Sequence, residues 1–182
     1  MPDSAPISLD IPGLLVRRAA IGDVDRVRAV VQDATRRVQE KGFPECTLYL
    51  TAKGETRILS RVRGEDGAET FIATRASDGI DVGVYTLTWD DVRHWAENLG
   101  NDGRAGYVHM LNVHRAGARS GVGEHLLRHA ESLIATKSRP LFRLDCWNGN
   151  PFLHEYYARM GFMLVGRNAE RELSLWEKRV VG

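Results

Sequence analysis

Residues 113 to 123, Val-His-Arg-Ala-Gly-Ala-Arg-Ser-Gly-Val-Gly, join an apolar run to the apolar-periodic segment Glu124 to Lys137. Read as a strand, a glycine loop and a helix start, they gather main-chain N–H groups at the positive end of a helix dipole, an arrangement that holds an anion. Gly121 and Gly123 carry no Cβ, so the backbone can approach a bulky ligand. The chemistry indicated is phosphate binding. Two better-known glycine patterns fit badly. No Lys follows as a Walker loop requires, and Leu126 stands where a dinucleotide fingerprint needs its third glycine, although Asp145 lies near the spacing of the ribose-binding acid.

Other reactive side chains are scattered. In a strand over Tyr107 to Val113, the two-residue period puts Tyr107, His109, Leu111 and Val113 on one face, with Val108, Met110 and Asn112 on the other. An imidazole on that face, with an ordinary pKa of about 6.5, suits removal of a proton from an amine, directly or through a water. Asp90, Asp91, His94, Asp145 and Glu45 are rivals, chiefly as groups for a cationic substrate. His125 and His129 are spaced i, i+4 on the polar face of a helix, lack the glutamate of a zinc-protease pattern, and are expected to be solvated. Cys46 and Cys146 match neither a disulfide framework nor metal spacing and are expected as free, buried thiols. Trp89, Trp95, Trp147 and Trp176 are candidates for lining an acceptor pocket, but read mostly as core or interface residues.

These groups need a scaffold, and the hydropathy pattern supplies one. Leu14 to Arg17 reads as a first strand, Asp23 to Lys41 as a helix with Val24, Val27, Val30, Val31, Ala34 and Val38 inward, and Glu55 to Arg63 as a weaker helix closed by Gly64. Glu69 to Arg75 and Ile80 to Trp89 are rich in β-formers, and the Asp78-Gly79 pair between them predicts a hairpin. Trp89 to Asn98 is expected to hold a helical turn. After the glycine loop come a helix with Leu126, Leu127, Ala130, Leu133 and Ile134 inward, a strand over Leu141 to Cys146, a turn and helix over Asn148 to Arg159, and two strands, Phe162 to Val165 and Leu173 to Lys178. This alternation argues for one α/β or α+β layer domain from 14 to 182, behind a flexible tail of residues 1–13.

At 182 residues with 43% apolar content, the chain is long enough for a real core. A net charge of +1 with dispersed arginines argues against a nucleic-acid partner, and neither a membrane span nor a signal peptide is evident. The expectation is a soluble cytoplasmic protein.

A second feature is Asn150-Pro-Phe-Leu-His-Glu-Tyr-Tyr-Ala-Arg-Met-Gly-Phe162, with an asparagine seven residues before Tyr157 and Gly161-Phe162 behind it. With both motifs at the right mutual distance, the chain resembles the GNAT superfamily of acetyl-CoA-dependent N-acetyltransferases. That family's phosphate loop reads Gln/Arg-x-x-Gly-x-Gly/Ala, and its later segment reads Asn, Tyr seven on, then Gly-Phe. The resemblance covers Leu14 to Lys178 in element order, with one departure: Ala118 holds the place of the leading Arg/Gln, and Arg119 is next to it.

The resemblance implies a mixed, mostly antiparallel sheet with helices on both faces and a V-shaped splay between two central strands. It implies acetyl-CoA as co-substrate, with its pyrophosphate on the amides of Ala118, Arg119, Ser120, Gly121, Val122 and Gly123. The pantetheine arm would follow Leu111, Asn112 and Val113, with Asn150 in the cofactor-binding set. Arg115 and Arg119 could add charge-assisted contacts to phosphate oxygens. A lysine-type amine is protonated below pH ~10, and a leaving thiolate, with a pKa of about 8.5, gains from a proton donor. By resemblance Tyr157 is that donor, with Tyr156 second, while His109 is the candidate base. The implied reaction is direct attack by a primary amine, of a small molecule rather than a protein, with backbone amides near Leu111 stabilising the oxyanion. No metal is implied, and Cys146 reads as packing. Segments 42–53 and 166–172 would set the acceptor, and a homodimer is compatible with the family. Two other readings stay open: a non-catalytic acyl-CoA-binding sensor module on the same fold, and a nucleotide-dependent oxidoreductase, against which the absent third glycine counts.

Overall fold

The structure, a computed structural model, describes residues 13–43, 47–95 and 102–180. Residues 1–12 of the expected tail, Glu45, Cys46 and the end of the expected turn at 89–98 lie outside the described residues. The elements are β1 (Leu14–Arg18), α1 (Val24–Glu40), α2 (Ala52–Arg63), β2 (Glu69–Arg75), β3 (Asp81–Thr88), β4 (Ala105–Val113), α3 (Val122–Thr136), β5 (Leu141–Trp147), α4 (Pro151–Arg159), β6 (Met163–Asn168) and β7 (Leu173–Arg179). Among the described residues one sheet of seven strands has the order β1-β2-β3-β4-β5-β7-β6. Pairs β1–β2, β5–β7 and β6–β7 are antiparallel, and β4–β5 is parallel. The fold is therefore mixed α/β around a mostly antiparallel sheet, as the resemblance implied.

By compactness the chain divides into two units, one comprising the residues up to Thr86 with Met110–His129, the other Leu87–His109 with the residues from Ala130 on. In the first, the apolar stripe of α1 (Val27, Val30 and Val31) is buried with Ile58 and Val62 of α2, Ile72 of β2, Val84 of β3 and Met110. Helix α2 starts where Thr51 Oγ1 accepts the Gly54 N–H at 3.2 Å, a side-chain cap for a donor with no helical partner. Val84 joins this cluster, whereas a Cβ on the preceding Gly83 would lie 2.7 Å from Leu126 and 2.9 Å from Val122 of α3. Successive strand residues face opposite ways, so α1 and α2 cover one face of β3 and the first turns of α3 the other. Glycine at 83 lets α3 pack that closely.

The second unit has its own core of Trp95, Ala105, Tyr107, Leu141 and Leu175. Arg143 is buried there, with its guanidinium carbon 5.2 Å from the centre of the Trp95 ring, its Nε on Glu177 at 2.8 Å and an Nη on the Tyr107 hydroxyl at 3.0 Å. A buried charge is tolerated because it is paired and hydrogen-bonded in this way. Strands β4 and β5 pair from Ala105↔Leu141 to Val108↔Leu144, although the two strands run on to Val113 and Trp147. Where that ladder stops, Met110 has φ +51, a strained value for a residue with a Cβ. The strict two-residue alternation expected for Tyr107 to Val113 therefore does not carry through Met110. Tyr107 and His109 precede the kink, and Leu111 and Val113 follow it.

Candidate active site

Helix α1 fixes the glycine loop. Gly117 donates its N–H to His114 O at 2.8 Å and Ala118 to Arg115 O at 3.2 Å, closing a tight turn. Ala116 N–H donates to His114 Nδ1 at 3.1 Å, so that nitrogen accepts and the ring proton lies on Nε2. Asp33 of α1 accepts both the Arg115 N–H at 2.8 Å and its Nε–H at 2.5 Å, and Glu40 takes an Arg115 Nη at 3.3 Å. Burial pushes the Asp33 carboxyl up, but these bonds from Arg115 outweigh it and leave it below the usual range. The guanidinium expected near phosphate is thus engaged by two carboxylates, while Arg119 is exposed.

Ser120 Oγ donates to Gly117 O at 2.8 Å. Arg119 and Gly121 have φ +61 and +80, and left-handed residues within a loop are what turn consecutive N–H groups into an anion-binding nest. No atom lies within 4 Å of the place a Cβ on Gly121 would take, so its backbone angle is a reason for glycine beyond steric room. The first helical donor of α3 is His125 N–H, to Gly121 O at 3.0 Å, so the N–H groups of Val122, Gly123 and Glu124 have no partner within the helix. Just upstream, Leu111, Asn112 and Val113 are half-buried, and Asn112 Nδ2 donates to Met110 O at 3.0 Å across the kink.

The remaining expected residues lie in the second unit. Asn150 is buried and caps α4, its Oδ1 accepting the Leu153 N–H at 3.2 Å, with Pro151 in the first turn where its missing N–H costs nothing. The cap fixes the start of the helix that carries Tyr157. That ring is buried against Tyr156 (5.5 Å between centroids), Phe162 (5.9 Å) and Trp176 (6.3 Å). Burial pushes the phenol well above its ordinary value, so it stays protonated at neutral pH. Burial also pushes the Cys146 thiol up to about 12, which removes it as a nucleophile and agrees with packing.

The His109 side chain is 7% exposed, with Nε2 2.9 Å from Thr88 Oγ1. That hydroxyl gives its one proton to Asp90 O at 3.1 Å, so it accepts from His109 Nε2–H. Asp91 accepts the His94 N–H at 3.1 Å and its Nδ1–H at 2.9 Å, and Asp145 Oδ2 lies 3.7 Å from the same nitrogen. Burial raises the Asp91 carboxyl, but His94 and His109 outweigh it and the net shift is downward. Of the rivals scattered in sequence, Asp91, His94 and Asp145 converge on His109.

The expectation of solvated histidines on α3 is corrected. His125 and His129 are buried, and His129 Nδ1 meets the Tyr85 hydroxyl at 2.6 Å beside Phe71. Imidazole carries enough apolar surface to sit on a helix face that residue type alone marks as polar. Sequence reasoning also missed Asp33 and Thr88. Their partners are 82 and 21 positions away, and no local pattern marks either residue.

The family model for GNAT acetyltransferases matches residues 28–162. The chain belongs to the GNAT acetyltransferase family. Over 89 residues it is 36% identical to the uncharacterized N-acetyltransferase YesJ of Bacillus subtilis (strain 168); the match covers 47% of this chain and 49% of YesJ, so the chain spans about half the length of that relative. Among solved structures it resembles a GNAT-family acetyltransferase from Listeria monocytogenes 4b F2365, with 25% identity, a TM-score of 0.73, and coverage of 91% of this chain and 94% of that one. The fold is also that of the PaiA N-acetyltransferase from Thermoplasma acidophilum in complex with coenzyme A, at 14% identity and a TM-score of 0.71, covering 91% and 98% of the two chains. The range matched to the GNAT family takes in the glycine loop, the Met110 kink, Asn150 and Tyr157. This GNAT chain therefore carries a helix start able to take an anion, a neutral phenol and a buried cluster of imidazoles and carboxylates.

Proposed function

We propose that the chain, with residues 14–182 acting as one domain, moves an acetyl group from acetyl-CoA to a primary amine of a small molecule by direct attack. The observation that carries this reading is the loop entering α3: two left-handed residues and a helix start whose first N–H groups lack helical partners, within a chain of the GNAT family. In this reading the amides of Ala118, Arg119, Ser120, Gly121, Val122 and Gly123 hold the pyrophosphate of coenzyme A. The Leu111-Asn112-Val113 segment follows the pantetheine, and an amide near Leu111 stabilises the oxyanion. Asn150 serves through its cap on α4. His109 takes a proton from the substrate ammonium so that the neutral amine attacks the thioester, and Tyr157, neutral and buried, donates its proton to the departing thiolate. The Arg115 guanidinium keeps the loop in place through Asp33 rather than binding phosphate. Calorimetric titration with acetyl-CoA, followed by a panel of small amines scored for free thiol release, tests the reading. Saturable binding with amine-dependent thiol release is expected. Binding without thiol release for any amine would favour the sensor module, and no binding would overturn both.

A further inference from the structure

Two carboxylates and two imidazoles converge in the second unit: Asp91, His94, His109 and Asp145 each offer one ligand atom, and these four atoms lie within 4.8 Å of one another. We propose that they form a binding site for one divalent zinc ion. Zinc takes imidazole nitrogen and carboxylate oxygen at about 2.0–2.1 Å in tetrahedral geometry, which sets the ligand atoms ~3.3 Å apart. Three of the separations bracket that value: 2.9 Å from His94 Nδ1 to Asp91 Oδ2, 3.7 Å from His94 Nδ1 to Asp145 Oδ2, and 4.0 Å from His109 Nε2 to Asp91 Oδ2. With all four atoms within 4.8 Å, changes in separation of a few tenths of an ångström to roughly 1.5 Å close the set around an ion. On ligation, zinc takes the lone pairs of the His94 nitrogen that faces Asp91 and the His109 nitrogen that faces Thr88, and the protons they carried pass to the opposite ring nitrogens or to solvent.

Burial points the same way. The side chains of Asp91, His94, His109 and Asp145 are 5%, 9%, 7% and 15% exposed, so an ion among them would be largely shielded from solvent. The ligands come from three stretches, the turn after β3, β4 and β5, so one ion would tie them together. Their backbone is already anchored: Trp95, in the core, donates its N–H to Asp91 O at 3.1 Å, and Asn168 Nδ2 donates to His94 O at 3.3 Å. Fixed ligands of this kind favour binding by reducing what must be ordered. The donor set, nitrogen and oxygen without thiolate, suits zinc and disfavours magnesium, which prefers oxygen ligands in an octahedron.

Zinc on His109 also occupies the imidazole that the proposed reaction uses as base, so metal binding and acetyl transfer compete. The test reads metal binding alone, and its outcome is independent of whether the acetyl-transfer reading stands. The full chain, stripped with a chelator, is titrated with Zn²⁺ by calorimetry, with Mg²⁺ as control, and its Co²⁺ form is examined by visible spectroscopy. Expected are one saturable Zn²⁺ site, no Mg²⁺ binding, and a four-coordinate Co²⁺ spectrum without thiolate charge-transfer bands. His94→Ala and Asp145→Asn should each weaken zinc binding at least tenfold, while Cys146→Ser and His125→Gln leave it unchanged. The cobalt spectrum of the unaltered chain stands even if a variant misfolds. Absence of a one-to-one zinc site, thiolate bands on cobalt, or undiminished affinity in both ligand variants would overturn the proposal.

Discussion

Tyr157 sits among Tyr156, Phe162 and Trp176, and its buried phenol keeps its proton at neutral pH. Removing only the hydroxyl separates its chemical role from its packing role. Tyr157→Phe is expected to lower kcat by about 10²-fold, at the low end for a general acid, with the acetyl-CoA dissociation constant little changed and the melting temperature within a degree or two. Steady-state kinetics with a calorimetric titration of the same variant checks this; unchanged kcat would remove Tyr157 from the acid role. At this scale the sequence was informative where spacing is local, as in the turn and helix over Asn148 to Arg159 that carry Tyr157, and uninformative where contacts are long-range. His109 was singled out from strand period, but nothing in the pattern joined it to Asp91, His94 and Asp145, because a turn and two strands bring them together. Arg115 was read toward phosphate because Asp33, 82 positions earlier, could not be seen as its partner.

The junction of loop and α3 carries the cofactor argument at the scale of elements. Gly121 has φ +80, so Gly121→Val forces a β-branched residue into a conformation it resists. That variant is expected to weaken acetyl-CoA binding at least tenfold by displacing the loop, with a circular dichroism spectrum unchanged from wild type; wild-type affinity would show that the loop geometry does not matter. Helix α4 depends on its cap, and Asn150→Ala should cost about 1 kcal/mol of stability in denaturant unfolding. Element order and the β2–β3 hairpin were legible because apolar periodicity and the Asp78-Gly79 turn are local. The Met110 kink was not: methionine gives no signal for a positive φ, and the kink is held by surrounding packing and by Asn112. The placement of β7 between β5 and β6 is likewise a long-range pairing.

Across the whole molecule, net charge is +1, and among the described residues no helix is long and apolar enough to cross a membrane. Its pH response follows from groups the fold has shifted. Burial, with His125 nearby, lowers His129 from 6.5 to about 4, so the unfolded chain binds a proton that the folded chain refuses between those values. The contribution of His129 is present above pH 6.5 and is lost as pH falls toward 4, a change on the order of 3 kcal/mol. Asp23 is lowered chiefly by its hydrogen bonds from Arg17, at 2.7 and 2.8 Å, so its contribution holds above its unfolded value and is lost in a second, more acidic stage. Urea unfolding at a series of pH values should show both stages, with the upper one flattened in His129→Gln; a flat wild-type profile between pH 7 and 4 would contradict the buried neutral imidazole.

Calorimetric titration of the purified chain with acetyl-CoA tests the central claim most directly. One saturable site that loses affinity in Gly121→Val but keeps it in Tyr157→Phe is the predicted result. A folded chain that gives no binding heat with either acetyl-CoA or coenzyme A, at any temperature tried, would contradict it.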